Sequence, residues 1–509
     1  MSTLHDSFFE TASLFAERIA VRDGQQALSF NDLATRVGHL AGALESLGLR
    51  KGDRISLIAN NRIDYLTYHL ATSMTGVILH VMNTRHVLRE WLWAMNDAGS
   101  SALIVDETHA YAAAELRAGC PSLRSVIGMG DVPCADHSTA TLVAGGRNPR
   151  IRSDIAPEDP VMLIYTSGTT GTPKGCLQTQ RGSTTIDRLT AGALRATEND
   201  VYMAIMPYFH QAGMIRSRAI MLRGGTNVVP GELDMDAVAD LMVRERVTVT
   251  MLVSAKQVRA LGKAMDKGAD FTPLRLLISG GGTGPRSMAG LKRFCDRLGC
   301  DFMGIWGQTE CTGPVTVVHH VDAFSNPLTC GRAMPGIDLQ IWDDAKQVLS
   351  QDEVGEIMVR SEMTAHYWNN AEANDALYTG KWLHTGDLGR LDEQGYLYFE
   401  GRKKDLIKTG GENVYPLEVE VLLNEHPAVR EVAVIGLPDR EWGEAVAAVV
   451  VSVDGNRVST ADLREFCRNK IAGYKIPRRV ETVAEIPKNE TGKVLKALLR
   501  RRFQDVEHT

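Results

Sequence analysis

A short apolar run, Val161 to Ile164, leads directly into Tyr165-Thr166-Ser167-Gly168-Thr169-Thr170-Gly171-Thr172-Pro173-Lys174-Gly175, and no other stretch constrains the fold as strongly. The run reads as a buried parallel strand. The glycines after it let the backbone bend closely around a ligand. The hydroxyls and amides supply donors, and Lys174 supplies a cation. A strand opening into such a loop suits a polyphosphate. The NTPase pattern Gly-x-x-x-x-Gly-Lys-Ser/Thr does not fit, because Pro173 stands directly before Lys174. A flexible Ser/Gly linker is the plain alternative; the embedded Lys and the preceding strand argue against it.

The same strand-to-loop grammar recurs on both sides of this stretch. From Asn31 to about Gly130, helical and strand patterns alternate: helix Asp32–Leu47, strand Arg54–Ala59, helix Arg62–Met74, strand Val77–Met82, helix Leu88–Met95 and strand Ala102–Val105. This is the rhythm of a parallel sheet covered by helices. Residues from about Gly130 to Asp159 lose periodicity and read as a connector. Beyond the loop, strands are expected at Asp200–Met206, Val247–Val253, Leu274–Ser279 and Asp301–Ile305, with helices at Met235–Arg246 and Pro285–Leu298. Candidate ligand groups fall at the C-terminal ends of these strands, where open α/β sheets bind ligands. From Pro314 to Gly401 the pattern turns short, β-rich and turn-punctuated, predicting an antiparallel, barrel-like unit. After Lys403-Lys404 a compact α+β unit of about a hundred residues follows, ending in a basic helix, Lys493–Arg502. The expected division is 1–402, a hinge at 403–404, and 405–509.

Composition bounds the function class. The 509 residues are 44% hydrophobic and 23% charged, with 56 basic against 62 acidic residues, so no basic face for nucleic acid is expected. No stretch approaches membrane-spanning length, and Met1 to Glu10 lacks the layout of a signal peptide. The eight Cys are scattered without Cys-x-x-Cys spacing, favouring reduced, packed thiols in a cytoplasmic protein over a disulfide framework or zinc site.

Four further stretches carry chemistry. His210 ends one strand pattern; its imidazole can orient a carboxylate or gate a pocket, or be structural. Trp306-Gly307-Gln308-Thr309-Glu310 ends another: a ring face for a base, a hydroxyl for a phosphate oxygen, and a hard oxygen ligand for Mg²⁺. The alternative there is a buried Trp and a surface Glu. Thr385-Gly386-Asp387 sets a carboxylate in a tight turn, suited to two ribose hydroxyls, with Arg402 as a nearby donor; an ordinary turn carboxylate is the rival reading. Lys493, on a glycine turn, is either functional or a solvated charge.

In order, Thr166–Gly175, Trp306–Glu310, Thr385–Asp387, Gly401–Val414 and Pro487–Lys493 resemble the motifs of the adenylate-forming superfamily, and Gly410-Gly411-Glu412-Asn413-Val414 resembles its acyl-CoA synthetase branch. The resemblance covers nearly the whole chain. It implies an α/β fold with two parallel-sheet subdomains, a barrel-like subdomain and a small mobile C-terminal domain. It also implies an ATP-dependent ligase joining a carboxylic acid to coenzyme A through an acyl-adenylate, with Mg²⁺ as cofactor. Loading of a carrier protein is the alternative within the superfamily, and a non-catalytic ATP-binding scaffold the alternative outside it. A homodimer is the assembly left open. By matching position, Thr166, Ser167, Gly168, Thr169, Thr170 and Lys174 would hold phosphates. Trp306, in place of the usual Tyr, would stack on adenine, and Gly281, Gly282 and Gly307 would belong to the same ATP/AMP site. Thr309 would meet the α-phosphate, Glu310 the metal, and Asp387 and Arg402 the ribose. Lys493 would bridge the acyl carboxylate and α-phosphate, Lys404 would be the hinge, and Gly410, Gly411 and Glu412 would serve the thioester step. Tyr208, His210, Gln211, Gly213, Met214, Ser279, Gly280, Gly304 and Thr312 are the expected acyl pocket. Arg216 and Arg218 lie just beyond; ordinary helix-surface charges are expected there, neutralisation of a second carboxylate being the rival role.

Overall fold

The structure is a computed structural model and describes residues 3–146, 154–166, 173–231, 234–281, 285–363, 365–453, 455, 458–488 and 493–504. Three sheets organise it. In the eight-stranded sheet, Pro160–Thr166, Ile78–Val81, Arg54–Ile58, Ser100–Asp106 and Ser125–Met129 run parallel. All seven residues of Ser100–Asp106 are buried, as expected of a strand covered on both faces. The fourteen-stranded sheet has a parallel core of Thr226–Val228, Val201–Met203, Val249–Met251, Leu276–Gly280 and Asp301–Gln308. The antiparallel strands Asp338–Trp342, Gly355–Arg360, Trp382–Leu391 and Leu397–Arg402 are present as expected, joined edge to edge to that core through Thr329–Ala333 and Gly313–His319. A five-stranded sheet, built on the hairpin Val429–Asp439 and Gly443–Ser452, forms the small C-terminal domain.

A layer of helices between the two large sheets is buried on both sides. In helix Ile63–Thr75 every residue except Asp64 and Met74 is buried. Helix Gln211–Met221 has ten of its eleven residues buried. One apolar cluster joins Ile55, Leu57 and Met162 of one sheet to Val249, Ile278 and Met303 of the other. This overturns the expectation for Arg216 and Arg218: they are 1% and 4% exposed, because their helix has no solvent face. Arg218 makes two bonds to Asp187, at 2.7 and 2.9 Å, and a third to His69 Nε2 at 2.9 Å.

Other boundaries moved for local reasons. The connector holds a strand, His137–Ser138, and a helix, Thr139–Gly145; seven residues are too few to display a helical period. Ser138 caps that helix by accepting from Thr141 N–H at 3.1 Å. The strand expected over Asp200–Met206 stops at Met203, where Asn61 Nδ2 donates to the carbonyls of Ala204 and Met206 at 2.9 and 2.8 Å in place of a ladder partner. The last helix begins at Lys496, leaving Lys493 in the loop before it. Among the described residues, no helix is long and apolar enough to cross a membrane.

Candidate active site

The fourteen-stranded sheet reverses its winding at Val201–Met203: the chain passes to Thr226–Val228 on one side and to Val249–Met251 on the other. The crevice outside such a switch point is where doubly wound sheets place ligands. The loop leaving that strand carries Tyr208 and His210, and His210 is the N-cap of helix Gln211–Met221. Its Nδ1 accepts from Ala212 N–H at 3.2 Å, so the neutral ring carries its proton on Nε2. Gly213 is required by backbone: a Cβ there would lie 2.5 Å from the Pro207 carbonyl oxygen. On the facing strands Ser279 and Gly304 are register partners, and a Cβ on Gly304 would strike Val318 at 2.6 Å and crowd Gly281 at 3.1 Å. Tyr208 and Met214 sit deep in the core, and the Tyr208 hydroxyl accepts from Ser217 Oγ at 3.1 Å. The Thr312 hydroxyl is bonded to the Met363 carbonyl.

Two polar groups stand at the strand ends. In the first, Thr166 and Lys174 are antiparallel register partners. Glu310 Oε1 accepts from the Tyr367 hydroxyl at 3.0 Å and from Thr166 Oγ1 at 3.5 Å, while Lys174 Nζ lies 4.9 Å from the centre of the Tyr367 ring. Ser167, Gly168, Thr169, Thr170 and Gly282 lie outside the described residues. Tyr367 was missed in the sequence, because it arrives through a short strand, His366–Tyr367, paired to Lys174–Thr179 across almost two hundred residues of chain.

The second group surrounds Asp387, which is 2% exposed. Asp387 and Arg402 are register partners, with Arg402 Nε 2.6 Å from Asp387 Oδ1. The Trp306 side chain also bonds this carboxylate, and Lys493 and Glu310 lie within its electrostatic reach, which ties the two groups into one site. The turn is held by Thr385, whose Oγ1 accepts from Asp387 N–H at 3.1 Å and donates to the Ile357 carbonyl at 2.7 Å. Gly386 is left-handed there, with φ 66°. Gln308 Nε2 donates to the Thr385 carbonyl at 3.3 Å, coupling the Trp306–Glu310 stretch to the turn. Gly307 admits no side chain, since a Cβ would sit 2.2 Å from the Gly313 carbonyl oxygen of its own hairpin.

Burial sets the electrostatics. Desolvation pushes the Asp387 carboxyl up to about 6, against the opposing pull of Arg402, Lys493 and the Trp306 bond. Desolvation likewise brings the Lys493 ammonium down to about 8, reinforced by Arg402 and Lys404 and opposed by Asp387 and Asp405. The Lys493 side chain is exposed, yet it lies within electrostatic reach of buried Asp387. Gly410, Gly411 and Glu412 are not brought to this cluster; they form an exposed hairpin turn whose Gly410 N–H bonds the Trp442 carbonyl at 2.8 Å.

Residues 8–368 match the family model "AMP-binding enzyme", and residues 418–493 match "AMP-binding enzyme C-terminal domain". Feruloyl-CoA synthase from Amycolatopsis sp is 34% identical over 489 residues, covering 95% of this chain and 96% of that protein. An anthranilate CoA ligase in complex with anthranoyl-AMP superposes with TM-score 0.88 at 26% identity, covering 98% of this chain and 97% of that one. ATP-bound MatB from Rhodopseudomonas palustris superposes with TM-score 0.86 at 27% identity, covering 99% of each chain. The chain thus belongs to the AMP-binding enzymes, and within them it is an AMP-forming acid:CoA ligase.

Proposed function

We propose that the two polar groups at the strand ends perform the adenylation step, and that Lys493 is the residue on which it turns. The observation carrying this reading is a lysine from the small domain held within electrostatic reach of Asp387 and Arg402 of the large one. Asp387 accepts from the ribose hydroxyls, with Arg402 and the Trp306 side chain holding the carboxylate in place. Thr166, Lys174 and the loop between them receive the triphosphate, and Thr309 donates to the α-phosphate. Nε2–H of His210 orients the acid's carboxylate toward the α-phosphorus.

Glu310 fits a magnesium ion. Mg²⁺ takes one or two carboxylates with phosphate oxygens and waters rather than an all-protein cage, and the hydrogen bonds from Tyr367 and Thr166 both fall on Oε1 of Glu310, away from Oε2. When bound, the ion would neutralise charge on the phosphate oxygens.

In the first step a carboxylate oxygen attacks the α-phosphorus, the bond to the pyrophosphate oxygen breaks, and acyl-adenylate forms. Positioning and charge neutralisation are the protein's means for such a transfer; the Lys493 ammonium supplies a cation between the two anionic reactants. In the second step the CoA thiol loses its proton, its sulfur attacks the acyl carbon, and AMP departs. Gly410, Gly411 and Glu412 would reach the site by rotation of residues 405–509 about Lys404. Lys403 bonds Asp344 and Glu356 of the large domain at 2.9 and 3.1 Å, whereas Asp405 bonds Arg500 of the small one at 2.9 Å. Exposed Lys404 lies between these two anchors, which supports a hinge there.

Acid-dependent exchange of labelled pyrophosphate into ATP, followed by thioester formation on adding CoA, tests the reading. Exchange that survives Lys493→Ala in a folded protein would overturn it.

A further inference from the structure

Helix Gln211–Met221 contains a buried charge that the adenylation step does not use. Arg216 is 1% exposed, and its Nη1 donates to the Ala212 carbonyl at 2.8 Å. Its Nε and Nη2 have no hydrogen-bond partner, and among the described residues no carboxylate pairs with it. Arg218, two residues on, is by contrast fully engaged by Asp187 and His69. An unpaired buried cation is costly, because burial removes its hydration and nothing replaces it.

The guanidinium is held beside the first turn of its own helix. Helical side chains tilt toward the N-terminus, and the bond to Ala212 fixes the guanidinium one turn back from its own Cα, level with the first turn of the helix. That level is roughly 3 Å of axial rise from His210. Gln211, in the same turn, is 4% exposed and leaves both amide atoms without partners. The phenol of Tyr202, on the switch-point strand, is Arg216's electrostatic neighbour, and its hydroxyl is also unpartnered. Arg216, Gln211 and Tyr202 therefore all carry buried polar atoms without a partner among the described residues, and Gln211 belongs to the expected acyl pocket.

We propose that Arg216, helped by Gln211, binds a second carboxylate on the acyl substrate, so that the ligase acts on a short dicarboxylic acid. This rests on the ligase reading of the same pocket and adds its substrate class. The first carboxylate faces His210 and reacts; the second pairs with the guanidinium. Because that guanidinium lies level with Ala212, the two carboxylates are separated by a short spacer rather than a long chain.

The experiment compares pyrophosphate exchange with succinate, glutarate, adipate and suberate against their monomethyl esters, which keep one carboxylate and most of the shape. Wild type should prefer a short diacid over its half-ester by roughly 100-fold or more in kcat/KM, since a site built for a polar group rejects the analogue lacking it. In Arg216→Gln and Arg216→Met that ratio should fall toward one through KM, and Arg216→Lys should restore part of it. A binding readout accompanies the kinetics: the diacid should raise the wild-type Tm and leave that of Arg216→Met unmoved, while Arg216→Met without ligand should melt above wild type. Equal use of diacids and half-esters by wild type, or equal stabilisation of both proteins by the diacid, overturns the proposal while the ligase reading stands. Absence of exchange with every acid, the relatives' aromatic acids included, overturns both.

Discussion

Lys493 should give the adenylation step a basic limb far below that of an ordinary lysine. Its ammonium sits near 8 because partial desolvation and the neighbouring cations Arg402 and Lys404 outweigh Asp387 and Asp405. In the free enzyme about nine-tenths of the molecules then carry the charge at pH 7 and about one-tenth at pH 9. For pyrophosphate exchange, kcat/KM for ATP should accordingly fall about tenfold per pH unit above 8. The limb in kcat should lie higher, since bound phosphates favour the charged form. Removing the side chain in Lys493→Met should lower exchange by at least roughly 100-fold, yet leave conversion of a synthetic acyl-adenylate to thioester. Linkage adds a check on stability. The folded protein releases this proton near 8, whereas the unfolded chain holds it to 10.5. Stability from this group therefore rises with pH between those values, by an amount that solvent screening of the exposed side chain reduces. Lys493→Met should thus be more stable than wild type to urea at pH 7, with the gap closing as pH approaches 10.5. A kcat/KM profile flat to pH 10, or a stability gap independent of pH, would refute the lowered ammonium pKa.

Glu310→Gln should weaken Mg-ATP use, because an amide oxygen carries no formal charge for the cation; titrating exchange against magnesium should show a raised requirement. Lys404→Pro should let adenylate form and accumulate while thioester synthesis stops, since proline fixes its own φ and restricts the residue before it; rapid-quench measurement of bound adenylate checks this. Asp187→Asn removes the buried partner of Arg218 and should cost about 3–5 kcal/mol, read as a fall in the urea midpoint, with the Arg216-dependent diacid preference as a control in the surviving folded protein.

The parts of the fold legible in the sequence are those where local signal and tertiary role coincide. The continuous apolar run at Ala102–Val105 reads as a doubly covered strand and is one. Asp387 is legible as a turn carboxylate, and the turn is real; its antiparallel partner Arg402 is fifteen residues away, within reach of a local reading. Tyr367 was not legible because its place depends on a pairing with a strand far earlier in the chain. Arg216 and Arg218 were misread for a physical reason: burial of a helix between two sheets is a property of the layers, and no periodicity within eleven residues reports it. Leu4–Leu14, opened by a Thr3–Asp6 capping box, carried a local signal that was overlooked.

Buried charge in this molecule separates into two kinds, and the separation bears on function. Asp187 and Arg218 satisfy each other, with His69 taking a further guanidinium nitrogen; folding alone accounts for them, because they tie the central helices together. Arg216 is not compensated in that way: two of its guanidinium nitrogens stay unbonded. Stability by itself would replace it with an apolar residue of similar volume. On the proposed reading a second carboxylate of the acid would supply the missing charge, while Lys493 would meet the carboxylate that reacts. Binding of a diacid would relieve the cost at Arg216 and a monocarboxylate would not, so discrimination would arise from a deficit already present in the folded protein.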